Sequence, residues 1–141
     1  MPSKNKSLRN AIRREDDAKV KQLLEQQVDI FHPDRNGVNA LHLAAAGVSK
    51  ERYRILSRLI LARKDDVTCV ANEGTTPLLI ASLYNNHAGV RLLLAAGAID
   101  IPNSDGDTAE SIARVKNDSN VIKVFEEKKQ KEQDKPKYMR I

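Results

Sequence analysis

The 141-residue chain carries a single cysteine, Cys69, so no internal disulfide can hold it together. It has no run of about 18 apolar residues, which excludes a transmembrane helix. Its first residues, Met1-Pro2-Ser3-Lys4-Asn5-Lys6, lack the apolar centre of a secretion signal. The chain is therefore expected to be soluble and intracellular, in the cytoplasm or the nucleus. Chemical machinery is sparse as well: no glycine-rich phosphate loop, zinc-ligand pattern or nucleophile elbow occurs. Asp16-Asp17 and Asp65-Asp66 are adjacent carboxylates whose side chains point apart, which suits helix-end electrostatics better than acid–base chemistry.

What the chain does have is a phrase used three times: Gly37-Val38-Asn39-Ala40-Leu41-His42-Leu43-Ala44-Ala45, Gly74-Thr75-Thr76-Pro77-Leu78-Leu79-Ile80-Ala81-Ser82 and Gly106-Asp107-Thr108-Ala109-Glu110-Ser111-Ile112-Ala113-Arg114. The glycines are 37 and 32 residues apart, and units recurring at such a period stack into a solenoid. Each slot has a physical reason. Glycine permits a positive φ, Thr caps a helix, Pro suits its first turn, and paired alanines let helices approach closely. Val90, Leu93 and Leu94 then recur at i, i+3, i+4 and make the apolar stripe of a second helix. Thr76-Pro77-Leu78 with Ala81, followed by Val90, Leu93, Leu94, Gly97 and Ala98, resembles the ankyrin repeat, and His42 fills that family's histidine slot once. The resemblance implies an all-α solenoid of stacked helix-turn-helix units joined by β-hairpin-like loops.

One period before Gly37, Leu8, Ala11 and Ile12 and then Val20, Leu23 and Leu24 repeat the two-helix pattern, making residues 7 to 28 an N-terminal cap. Ala109, Ile112 and Ala113, then Val121, Ile122, Val124 and Phe125, make a C-terminal cap. Four units are expected, at about 7–33, 34–70, 71–102 and 103–127. A disordered segment 1–6 precedes them. A charged tail, 128–141, follows; its first turn or two extends the last helix and the rest frays. Glu15, Asn85 and Asn117 occupy inter-helix turns where the family commonly has glycine, and Gln27 and Lys64 stand where Gly97 closes a second helix, so the latter two turns should be strained. The 37-residue interval exceeds the period of roughly 33 by about four residues, one helical turn. These must lie between Ala45 and Ile60, and with Ser49 as cap they predict a second helix one turn longer than its counterparts.

His32, His42 and His87 fall in three units at three different slots, and none has a second ligand at metal spacing. Cys69 has no paired cysteine and no histidine close by in sequence. No cofactor or metal is expected. Ankyrin proteins typically bind through hairpin tips and the concave face of their first helices. The resemblance therefore implies a partner-binding row of Arg35, Asn36 and Val38, then Asn72, Glu73 and Thr75, then Ser104, Asp105 and Asp107. Behind it stand Arg13 and Arg14, Ala46, Leu83 and Tyr84, and Val115 and Lys116, with Tyr84 a natural anchor. Charge along this row runs from Arg13, Arg14 and Arg35 to Asp105 and Asp107, which would orient a partner. The expected function is a monomeric, non-enzymatic protein-interaction module: an adaptor, scaffold or inhibitor. The alternative is association with nucleic acid or an anionic membrane through Lys50, Arg52, Arg54, Arg58, Arg63 and Lys64, set against Glu51. Tyr53 is the one aromatic there, too little for base stacking. Met139-Arg140-Ile141 resembles one class of PDZ ligand.

Overall fold

The computed structural model describes residues 3–63 and 66–140. The expectations for Lys64 and Asp65, and the last residue of the PDZ-like tail, Ile141, lie outside the described residues.

Among the described residues, eight α-helices form four pairs: α1 (Lys4–Arg13) with α2 (Asp17–Glu25), α3 (Ala40–Ala45) with α4 (Lys50–Ala62), α5 (Pro77–Leu83) with α6 (His87–Ala95), and α7 (Ala109–Val115) with α8 (Ser119–Asp134). No strand occurs among the described residues. The odd-numbered helices stack in chain order as one layer and the even-numbered helices as a second, each touching its neighbours. This is the all-helical solenoid implied by the repeat.

All eight helices start on a polar side chain that accepts a backbone N–H of the first turn: Ser3, Asp16, Asn39, Ser49, Thr76, Asn86, Thr108 and Asp118. Helices of six to ten residues cannot hold themselves together in water, so caps and interlayer packing must do so. Ser3 accounts for one departure from expectation. Helix α1 begins at Lys4, inside the segment expected to be disordered, because the Ser3 hydroxyl accepts from Lys6 N–H at 3.2 Å.

The core runs between the layers, with Ile12, Leu41, Leu56, Leu59, Leu78, Val90, Leu93 and Val121 among its fully buried members. Small residues in the first layer, Ala44, Ala45, Ala81, Ala109 and Ala113, are buried too and let consecutive repeats close up. Buried polar groups bridge those repeats. The Ser82 hydroxyl donates to Ala109 O at 2.6 Å, and the Asn86 amide donates to Ala45 O and Gly47 O, each at 3.1 Å.

Helix α4 has 13 residues where α2 and α6 have nine, and Ser49 caps it, so the additional turn is present. Val20 and Leu23 lie three and six residues into α2, and Val90 and Leu93 likewise into α6, whereas Leu56 and Leu59 lie six and nine residues into α4. Three of the four additional residues thus lie at the N-terminal end of α4, and the fourth at its C-terminal end.

Glu15, Asn85 and Asn117 take φ of 59°, 56° and 55°, the left-handed conformation for which their slot is usually glycine. Gln27 does the same at 57°, in keeping with the expected strain, while Gly97 takes 98° without penalty. At the C-terminal end Glu110 accepts from Lys129 at 2.7 Å and Arg114 at 2.9 Å, a polar cover for the last unit. Helix α8 stops at Asp134, two residues before Pro136. Where fraying is expected beyond it, Lys137–Met139 form a 3-10 turn and the Arg140 guanidinium donates to Lys135 O at 2.8 Å.

Candidate partner-binding face

The first and third hairpin tips are built by short polar side chains three residues before their glycines. Asp34 Oδ1 accepts from Asn36 N–H at 2.8 Å and Val38 N–H at 3.0 Å. Asn103 Oδ1 accepts from Asp105 N–H at 3.0 Å and Asp107 N–H at 2.9 Å. Burial raises the Asp34 carboxyl, but the two N–H donors, with Arg9 and Arg13 nearby, outweigh it and hold the group below its ordinary value. The middle hairpin has Ala71 in that slot and turns differently, with Glu73 itself at φ 64°.

Backbone bonds join the tips into one row: Asn72 N–H donates to Asn36 O, and Ser104 N–H to Glu73 O, both at 2.9 Å. A Cβ on Gly37 would lie 3.0 Å from Ala71 Cα, and one on Gly74 would lie 3.0 Å from Asn103 Cα. Positive φ and the next hairpin's approach therefore both require glycine there. Gly106 would meet nothing within 4 Å, since no fourth hairpin follows among the described residues.

His42 ties the first hairpin's unit to the second. Its Nε2 lies 3.0 Å from Thr75 O, to which it can donate, and its Nδ1 lies 3.2 Å from Asn39 N and 3.0 Å from Asn39 Oδ1. Burial lowers its pKa, only partly countered by the bond to Thr75. Asn39 caps α3 and also donates to Cys69 Sγ at 3.2 Å. Burial raises the Cys69 thiol, the opposite of what a reactive thiolate needs.

Arg35, Asn36, Asn72, Glu73, Ser104, Asp105 and Asp107 are exposed on the row, and Val38 and Thr75 are half-buried. Leu83 is 45% and Tyr84 57% exposed at the end of α5, so Tyr84 is not used up as packing between repeats. Val115 is exposed at the corresponding end of α7, where the Lys116 ammonium donates to Leu83 O. Arg13 and Arg14 are exposed at the end of α1, and Ala46 is half-buried after α3.

The basic cluster of α4 is largely spoken for. Arg58 makes a two-pronged pair with Asp17 at 2.7 and 3.1 Å, lowering that carboxyl's pKa. Arg52 lies 3.5 Å from Glu15 and donates to Leu43 O, and Arg63 lies over the Phe31 ring at 5.1 Å. These side chains tie the second unit to the first. Their partners lie in the preceding unit, so periodicity alone could not disclose the pairing. The tip-building Asp34 and Asn103 were also missed, although an Asp or Asn three residues before a repeat glycine is a readable signal.

Residues 46–135 match the family model described as ankyrin repeats, three copies, and the chain belongs to the ankyrin-repeat family. No match to a curated protein was found. Ankyrin repeats are generally protein–protein interaction modules and are typically non-enzymatic.

Proposed function

We propose that this chain is a non-enzymatic intracellular interaction module, acting as a monomer, that binds a protein partner across its hairpin tips and the ends of its first helices. The observation that carries this reading is the exposure of Leu83 and Tyr84 at the end of α5, in a layer whose repeat-to-repeat contacts are made by small buried residues. An exposed aromatic beside a rigid polar row supplies an anchor surrounded by orienting charge. The hairpin backbones are bonded to one another, so the tip side chains are held ready for a partner at little further ordering cost. Arg13, Arg14 and Arg35 at one end and Asp105 and Asp107 at the other favour a partner of opposite polarity.

Association with nucleic acid or an anionic membrane is less well supported, because Arg52, Arg58 and Arg63 are engaged within the fold. The test is affinity capture with the wild-type chain beside a variant carrying Arg35→Ala, Glu73→Ala, Tyr84→Ala and Asp105→Ala. Interactors should be lost from the variant and kept by an equally stable control altered elsewhere on the surface. Full retention of every interactor by the variant would refute the assigned face.

A further inference from the structure

The outer layer has an unexpected shape. Helix α6 has nine residues and lies between the 13-residue α4 and the 16-residue α8, both of which it touches. Between His87 and Arg91 and beyond them, the surface of α6 carries the apolar side chains of Ala88, Leu92 and Ala95. It forms the floor of two grooves. One, of about 480 Å³, is walled by Tyr53 from the first turn of α4, with Ala88, Leu92 and Ala95 beneath. The other, of about 260 Å³, runs between α6 and the extension of α8, over Leu94, Ala95 and Val124. Arg91 and Ala95 line both, so the two lie side by side.

The rim is cationic. Arg91 is paired with Glu127 at 2.9 Å and Lys135 with Glu132 at 3.0 Å, so the two acids of the second groove are occupied. Lys128 and Lys131 border the same groove and are exposed; Lys131 also adds to the field that lowers the Glu127 carboxyl. The lining of the second groove sets Arg91, Lys128, Lys131 and Lys135 against Glu127 and Glu132, and an apolar floor beside this cationic excess is complementary to an acidic amphipathic helix, its apolar stripe on the floor and its carboxylates at the lysines. We propose that the grooves flanking α6 form a second docking site, on the layer opposite the first helices, for an acidic amphipathic helical segment of a protein partner.

The probe is a labelled peptide of about 18 residues with leucines at i, i+3, i+4 and i+7 and glutamates on the flanks, beside a counterpart carrying lysines instead. Fluorescence anisotropy should show the glutamate peptide binding wild-type protein and the lysine peptide not. The exposed pair Lys128→Glu and Lys131→Glu should weaken binding about tenfold or more. Ala95→Arg, which fills the shared floor, should also weaken it, while the four-alanine variant of the hairpin row binds as wild type. Loss of binding in the hairpin variant, equal binding of both peptides, or no measurable binding would overturn the proposal. So would a concentration-dependent dimer of the protein alone that Ala95→Arg dissolves, since the occupant would then be a second copy.

Discussion

His42 is the one buried titratable ring in the chain's described residues, and it makes stability depend on pH in a definite window. Its folded pKa is depressed below 6.5, so between that value and 6.5 the unfolded chain holds a proton that the folded chain does not. Stability is therefore fully present above about pH 6.5 and is lost as pH falls towards the folded pKa. Urea unfolding at pH 7.5 and 5 should show this loss, and His42→Gln should abolish it; an undiminished slope in the variant would refute the assignment. Asp118 supports a second expectation. It caps α8 in the slot where Asn86 caps α6, but its Oδ2 is buried without a hydrogen-bond partner, whereas the Asn86 amide donates to two carbonyls of the preceding unit. Asp118→Asn should stabilise the protein by about 1 kcal/mol, read as a higher urea midpoint. Gln27, exposed and at φ 57°, should gain about 0.5–1 kcal/mol on replacement by glycine, in the same assay.

At the scale of the helix, the additional turn of α4 depends on Ser49. Its oxygen accepts from Arg52 N–H at 3.1 Å and its hydroxyl donates to Glu15 at 2.9 Å. Ser49→Ala should cost about 1 kcal/mol, seen as a lower thermal midpoint with the helical circular dichroism of the folded state retained. This turn was legible beforehand because glycine spacing counts residues, and four extra residues in a helical stretch have few other places to go. The early start of α1 was not legible, since its apolar stripe begins at Leu8 while the helix is set by a cap at Ser3. Nor were the ties from Arg52, Arg58 and Arg63 back to Glu15, Asp17 and Phe31. Long side chains cross between repeats by reach and geometry, neither of which leaves a period in the sequence.

Over the whole molecule, the net charge of +5 says less than its arrangement. Arg52 and Arg58 of α4 and Arg63 at its end serve as links between units, the last unit is covered by the Glu110 ion pairs, and the exposed cations Lys128 and Lys131 border the outer groove. The hairpin row was readable slot by slot because its residues flank the repeat glycines. The outer groove was not, because it arises from the differing lengths of three neighbouring helices. The most direct test of the hairpin-face reading is amide hydrogen exchange on the protein alone and with the partner most enriched in the affinity capture. Slower exchange concentrated in residues 34–38, 71–75, 82–85 and 103–107 is the predicted result. Unchanged exchange in all four segments, with slowing confined to α4, α6 and α8, would contradict it.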